Sequence, residues 1–472
     1  MLVDRKKFKK CIILLLILAI YIPVMLSHRF DLYSNNFIRI ACITSLCIYI
    51  YEIWSMYTIT EKLFTPATLF LIAFYMFQNG QLLLLSLGID FNDFYINSLK
   101  SYTIPVVVFS SISNVIAGFI AFFLARPKNK LIIHINNRKI DRISPDFITD
   151  VARFGFIITS IVAFPLILVK FTYSLSGGYN AVRAFEETLP SVVNFIEYFF
   201  MPFSVLYMVY GGKEKSKWVR IFVVIWALIT SLCGDRTTGI GALVVVVYLF
   251  FLQTNNKKEG MGKKILKYIG LVVAALLIII LIQFAYAFRT KSGFDFSSMA
   301  EVFITTISDL GFSCFPLFTM MRVVPNSETF LLGQGYFLSV IGGLIPSFID
   351  VTGTISKINA KSRIFETWQT KYYGQYSFGF GFSLNAEAYI NFGWFGLISI
   401  AILLIIIFKL LDSYNSEDKN NLWGCYKTCI LAFLWFTLPR RDSYYVWKAI
   451  SYALIFMKVF IFAMRSIVKT QK

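Results

Sequence analysis

Arg289-Thr290-Lys291 opens, and Gly379-Phe-Gly-Phe-Ser-Leu-Asn385-Ala-Glu387-Ala-Tyr389-Ile-Asn391-Phe-Gly393-Trp-Phe-Gly396 closes, the one long break in a chain otherwise made of apolar segments. On either side the apolar runs are roughly twenty residues long, the length a helix needs to cross the hydrocarbon of a bilayer. An outer-membrane barrel would instead show alternating segments of about ten residues. The pattern predicts an all-α polytopic membrane protein. Its chemistry is expected in the one large polar loop and in the carboxylate and amides that run from it into the next helix.

Composition points the same way. Hydrophobic residues make up 57% of the 472-residue chain, charged residues only 15%, and the mean hydropathy is +0.68, which excludes a soluble globular protein. The net charge of +19 comes largely from short loops between apolar runs, where membrane orientation requires basic residues. No separate basic domain speaks for nucleic acid. The cysteines, Cys11, Cys42, Cys47, Cys233, Cys314, Cys425 and Cys429, fall mostly inside apolar runs and form no Cys-x-x-Cys pair, so neither a disulfide framework nor a zinc site is expected. Asp4-Arg5-Lys6-Lys7 before the run Cys11–Leu26 resembles a secretion signal, but Ser27-His28-Arg29-Phe30 lacks its small-residue cleavage pattern; the run reads as a retained first span.

About twelve spans are expected, near 11–27, 37–58, 66–88, 102–125, 151–172, 191–210, 218–233, 237–254, 268–288, 384–408, 423–438 and 445–464. Residues 1–288 would hold transmembrane helices 1–9, residues 289–383 the extracytoplasmic loop with short or re-entrant helices, and residues 384–472 helices 10–12. Two partly apolar loop stretches, Ala300–Met321 and Gln334–Ile349, would raise the count to fourteen if both crossed. Glu301, Asp309, Pro316 and Arg322 in or beside the first, and Gly342, Gly343 and Pro346 in the second, favour helices that lie on the bundle or dip into it. Twelve spans put the basic clusters Arg5–Lys10, Arg126–Arg142, Lys213–Arg220 and Lys257–Lys267, with Arg465, Lys469 and Lys472, on one face. The positive-inside rule makes that face, and both termini, cytoplasmic.

The same rule disfavours arginine at outer span ends, yet Arg236, Arg289, Arg440 and Arg441 fall there. That excess points to an anionic ligand. In Gly234-Asp235-Arg236-Thr237-Thr238-Gly239-Ile240-Gly241, a glycine-rich turn presents an arginine whose planar fork suits phosphate; the plainer reading is a turn whose Asp-Arg pair caps two helix ends. Arg289 either lines the same kind of pocket or snorkels to the interface. Glu387 and Asn391 are four apart and share a helix face. The carboxylate is either a general base or sugar-hydroxyl ligand, or a helix-start carboxylate favoured by the macrodipole. Tyr389 and its aromatic neighbours suit sugar stacking or a membrane-interface belt. Pro439-Arg440-Arg441-Asp442 is a second arginine-bearing turn, and Arg363, Glu366, Lys371 and Tyr372 are polar options in the loop. His28 and His134 are the only histidines. No Ser-His-Asp arrangement, His-Glu-x-x-His, Walker loop or dinucleotide fingerprint is present, and no cluster demands a metal or cofactor.

Three segments carry a family resemblance: Gly234-Asp235-Arg236, Phe330-Leu-Leu-Gly333-Gln-Gly-Tyr336 with Ile345-Pro346, and Gly381-Phe-Ser-Leu-Asn385-Ala-Glu387-Ala-Tyr389-Ile-Asn391-Phe-Gly393-Trp-Phe-Gly396. Together they resemble the Wzy-type polymerases of O-antigen and capsular repeat units. The resemblance implies a GT-C-like glycosyltransferase of the bacterial inner membrane. Its donor would be a growing glycan on undecaprenyl diphosphate, its acceptor a sugar hydroxyl on a second such lipid, and its working neighbours in the membrane a chain-length regulator and a flippase. A diphosphate leaving group calls for arginines and an attacking hydroxyl for a carboxylate. On that reading Arg236, Arg289 and Arg440 or Arg441 face the diphosphates, Glu387 serves as base or orients the acceptor, and Asp235 is a weaker base. Arg363, Tyr389, Asn391 and the second of the paired arginines are further substrate-binding candidates, Arg363 being otherwise part of a solvated loop face. A lipid-linked oligosaccharide flippase and an O-antigen ligase are the rival readings. Against them stand the long loop, the few mid-span charges (Glu52, Lys427, Lys448, Lys458), and the lack of histidine between Arg289 and Ser383.

Overall fold

The computed structural model describes residues 5–27, 35–61, 65–89, 91, 99–125, 143–254, 270, 280, 299–345, 350, 353–374, 381–411, 421–434 and 437–470. Every regular element among them is helical. In chain order the helices are α1 (Arg5–Ser27), α2 (Asn35–Thr60), α3 (Pro66–Leu87), α4 (Thr103–Leu124), α5 (Pro145–Thr188), α6 (Ser191–Tyr210), α7 (Lys217–Leu232), α8 (Arg236–Thr254), α9 (Met299–Gly311), α10 (Phe315–Val323), α11 (Gln334–Leu344), α12 (Thr354–Ser362), α13 (Ile364–Tyr373), α14 (Leu384–Phe392), α15 (Gly396–Leu411), α16 (Leu422–Leu434), α17 (Ser443–Ala449) and α18 (Met457–Thr470). Short 3-10 turns and a π-helical stretch over Ile450–Phe456 join some of them.

Eight stretches among the described residues are long and apolar enough to cross a membrane: Asn36–Thr60, Pro66–Leu87, Lys100–Leu124, Pro145–Gly178, Ser191–Tyr210, Phe303–Val323, Leu384–Leu411 and Ser443–Val468. Arg236–Phe250 and Leu422–Leu434 are shorter apolar helices. The chain is thus a multi-pass helical membrane protein. The span expected at 268–288 falls outside the described residues except at 270 and 280.

Phe303–Val323 is the stretch expected to belong to the loop. It runs as one helical path because Pro316 sits in the first turn of α10, where its missing N–H costs no intrahelical bond, and because Glu301 precedes the apolar window. Leu384–Leu411, expected as one span, is broken at Gly393, whose φ of 58° and ψ of −133° end α14 and start a new direction at α15. Glycine alone adopts such a backbone without strain.

The chain divides into two compact units. One comprises Met1–His134, Ile307–Asp412 and Leu438–Ala449; the other comprises Ile135–Thr306, Ser413–Thr437 and Ile450–Lys472.

In the first unit α3 and α4 are central. Helix α3 starts where Thr65 accepts the Thr68 N–H at 3.0 Å, and ends at the left-handed Gly88. Its core is aromatic: Phe70, Phe74 and Phe77 are fully buried, and Phe70 meets Phe408 of α15 edge-on at 5.4 Å. Small residues let backbones touch, as expected where lipid gives no hydrophobic drive between helices. A Cβ on Gly80 would stand 2.9 Å from the Cα of Gly311, and Gln81 donates to the Ser308 carbonyl beside it at 3.2 Å. Gly118 of α4 makes room for the buried Glu52 side chain of α2, whose Cδ would lie 2.8 Å from a Cβ there.

In the second unit α5 bends at Gly178, with φ 69°. Tyr173 and Phe185 stack across the bend at 4.7 Å. Lys170, 8% exposed, is paired with Glu197 at 2.9 Å and Glu186 at 3.0 Å. This trio is a mid-helix charge that the sequence reading passed over; its pairing is what makes its burial affordable.

Candidate active site

The dense block 381–396 becomes a hub. Ser383 caps α14 by accepting the Ala386 N–H at 3.2 Å, which fixes where the helix begins. Residues Leu384 to Asn391 are all buried. Two of its side chains are spent on other elements. Glu387, 3% exposed, accepts the Ser443 N–H on Oε2 and the Ser443 hydroxyl on Oε1, both at 2.7 Å. Asn391 donates to the Glu387 carbonyl at 2.8 Å and accepts the Gly335 N–H at 3.2 Å. Both side chains thereby satisfy donors at the starts of α17 and α11, groups that a helix leaves without internal partners.

The Phe330–Tyr336 motif fits against the same block. The N–H groups of Leu331 and Leu332 donate to the Ile390 and Asn391 carbonyls, each at 2.9 Å. Phe330 lies over Gly393, its ring 3.1 Å from where a Cβ would be, and Phe392 lies over Gly333 at 2.8 Å. Tyr336 stacks on Phe392, and Tyr389 meets Phe109 and Phe330 edge-on. The Tyr389 hydroxyl donates to the Val324 carbonyl at 3.4 Å. Gly342 and Gly343 bring α11 against α12 and α17: a Cβ on Gly343 would stand 2.9 Å from the Tyr444 carbonyl and 3.0 Å from the Lys448 nitrogen.

Against this frame lies a charged cluster. Asp442, 2% exposed, immediately precedes Ser443. Arg363, at the α12–α13 junction, approaches it with Nε 3.8 Å from Oδ2 and pairs with Glu366 through Nη2. Neither Asp442 oxygen accepts a hydrogen bond from another described residue. Burial pushes the Asp442 carboxyl up to about 6, with Arg363 and Arg441 pulling the other way. Arg441 covers the Tyr445 ring at 4.2 Å and Arg440 the Phe77 ring at 5.7 Å. The turn they occupy is anchored because Gln78 of α3 donates to the Pro439 carbonyl at 2.8 Å. A guanidinium stacked on a ring is the side chain whose planar fork also matches phosphate and carboxylate oxygens. Lys371 and Tyr372 both engage Glu328, at 2.8 and 2.7 Å.

Of the residues singled out from sequence, the first unit therefore holds Glu387, Tyr389, Asn391, Arg363, Arg440 and Arg441. Asp235 and Arg236 belong to the second unit. There Asp235 accepts from the Thr238 N–H at 3.2 Å and the Thr237 hydroxyl at 3.0 Å, which caps α8, and Arg236 is its half-buried first residue. Arg289 lies outside the described residues. Asp442 and Ser443 had no role on sequence grounds; the available signal was an acid directly after two arginines. No group of three or more histidine, cysteine or acidic residues able to hold a metal occurs among the described residues.

A multi-pass helical membrane protein with arginines gathered about a buried carboxylate is the class defined here. The chain matches the family of the O-antigen polysaccharide polymerase Wzy over residues 8–472. A match over nearly the whole length places it in that family: the chain belongs to the Wzy O-antigen polysaccharide polymerases. No curated protein and no solved structure matches it.

Proposed function

We propose that the chain polymerises undecaprenyl-diphosphate-linked oligosaccharide repeat units at the outer face of the bacterial inner or plasma membrane, moving the growing glycan onto a sugar hydroxyl of the acceptor unit. Family membership supports a polymerase. The observation that carries the rest is the arginine cluster: Arg440 and Arg441 share the turn that ends at the buried Asp442, and Arg363 approaches that carboxylate from the α12–α13 junction. A diphosphate leaving group develops charge that such arginines stabilise. Arg236 and Arg289 are proposed as further phosphate-facing residues, each in its own part of the chain, and Tyr389 and Asn391 to support the acceptor side through the frame they build. No cofactor is required. The GT-C-like character, the cytoplasmic termini, about twelve crossings, and a length regulator and flippase as neighbours belong to the same proposal.

Deleting the gene and resolving the surface glycan on a gel tests it. Loss of the long ladder with a single repeat unit still reaching the acceptor supports the polymerase. Loss of all capping indicates a ligase, and units trapped on the cytoplasmic side indicate a flippase; either overturns the proposal. Reporter fusions at both termini check the topology. Opposite sides would make Phe303–Val323 a further crossing and break the even count.

A further inference from the structure

The frame leaves two neighbouring carboxylates in different states. Glu387 has each oxygen engaged by Ser443 at 2.7 Å. Asp442, one residue before that serine and 2% exposed, has neither oxygen engaged by a hydrogen bond from another described residue. A buried carboxylate left without donors is strongly disfavoured. Its ion-pair partner among the described residues, Arg363, stands 3.8 Å away and is shared with Glu366. Such a group is poised for a donor that the described residues do not supply. The donor this reaction brings is a sugar hydroxyl.

We infer that Asp442 binds the attacking hydroxyl of the acceptor sugar and takes its proton, while Glu387 holds the turn in place. This rests on the polymerase reading. In the step, the hydroxyl oxygen forms its bond to the anomeric carbon of the donor as the bond from that carbon to the phosphate oxygen breaks. The bonding electron pair leaves on the lipid diphosphate, whose added charge faces Arg363 and Arg441. The hydroxyl proton passes to an Asp442 oxygen. Nothing is oxidised or reduced. Arriving diphosphate competes with Glu366 and Asp442 for Arg363, so substrate binding itself exposes the base. A carboxyl raised by burial to about 6 is close to the operating pH of a general base. The charged groups that act on it are Arg363 and Glu366 from the α12–α13 junction, Arg441 from its own turn and Glu387 from α14; Tyr444 and Tyr445 act on Arg363, and Lys448 feels Arg363 and Arg441.

The test uses full-length protein in detergent and lipid-linked repeat units extracted from producing cells that lack the gene. Wild type, Asp442→Asn and Glu387→Gln are assayed for chain growth across pH. Asp442→Asn keeps shape and hydrogen-bonding capacity but cannot take a proton. It is expected to slow chain growth by about 10²–10⁴-fold, with repeat-unit binding retained, and to lose the acid-side fall in rate that wild type shows. Asp442→Ser, smaller and free of an amide, controls for misfolding and should share the loss. An Asp442→Asn rate within a few fold of wild type overturns the assignment. So does an acid limb that persists in Asp442→Asn and vanishes in Glu387→Gln, which moves the role to Glu387. No product from wild type itself overturns the polymerase reading instead.

Discussion

Ser443 closes both oxygens of Glu387, joining α14 to the start of α17 through two charge-assisted hydrogen bonds of 2.7 Å. Both partners are buried, so neither can turn to water when the other is removed. Glu387→Ala should cost about 2–5 kcal/mol of stability, from the lost bonds and the stranded N–H and hydroxyl. Ser443→Ala should cost about 1–3 kcal/mol. The double variant should be less damaged than the sum, because the two changes remove one interaction. Thermal melts of detergent-purified protein measure this, and strict additivity would contradict the contact.

Gly343→Ala should destabilise the protein by about 1–3 kcal/mol. Its methyl would meet main-chain atoms, the Tyr444 carbonyl at 2.9 Å and the Lys448 nitrogen at 3.0 Å, which cannot rotate away. Gly353→Ala is the comparison: its φ is 69° but no atom lies within 4 Å of the new methyl, so only backbone strain of about 1 kcal/mol remains. Equal melting temperatures for the two variants would refute the close α11–α17 approach.

Removing one member of the Arg363–Asp442 pair should hurt more than removing both. Arg363→Ala leaves the 2%-exposed Asp442 without its cation and should cost about 2 kcal/mol, less than in a fully buried pair since the Arg363 side chain is 36% exposed. Adding Asp442→Asn should restore part of that loss. A double variant less stable than Arg363→Ala alone would rule the pair out.

Acidity should act on Asp442 in a direction opposite to ordinary acid denaturation. Burial raises this carboxyl from 3.8 to about 6, so the folded chain keeps the proton over a range in which the unfolded chain has lost it. The stabilising contribution is complete below pH 3.8 and is lost as the pH rises through about 6. Relative to Asp442→Asn, wild type should therefore lose melting temperature between about pH 4 and pH 6 and stay level above. A difference that grows in the other sense would show the carboxyl to be lowered by Arg363 and Arg441 instead.

The helical class was legible in the chain because twenty-residue apolar runs have one solution in lipid. The joints were harder to read. Pro316 looked like a break in Phe303–Val323, since sequence does not say that it falls in a first turn. Gly393 fell inside one expected span, 384–408, while its backbone divides α14 from α15. Glu387 and Asn391 were found by their spacing on one helix face, yet that spacing is silent on their partners, which lie 56 residues away in each case, at Ser443 and Gly335. Asp235 was given a weaker-base role and a capping role; the hydrogen bonds it accepts from Thr237 and Thr238 are those of the cap. Asp442 went unweighed because its meaning depends on what fails to touch it.

The fit of Phe330–Tyr336 against Ile390–Gly396 bears on how such a protein can be re-engineered. Each segment supplies a ring for the other's glycine, Phe330 over Gly393 and Phe392 over Gly333, and the main-chain bonds between them leave no slack for a mismatched ring. Specificity grafts between relatives should therefore succeed when both segments travel as one cassette and fail when either is transplanted alone, even though the two lie far apart in the sequence.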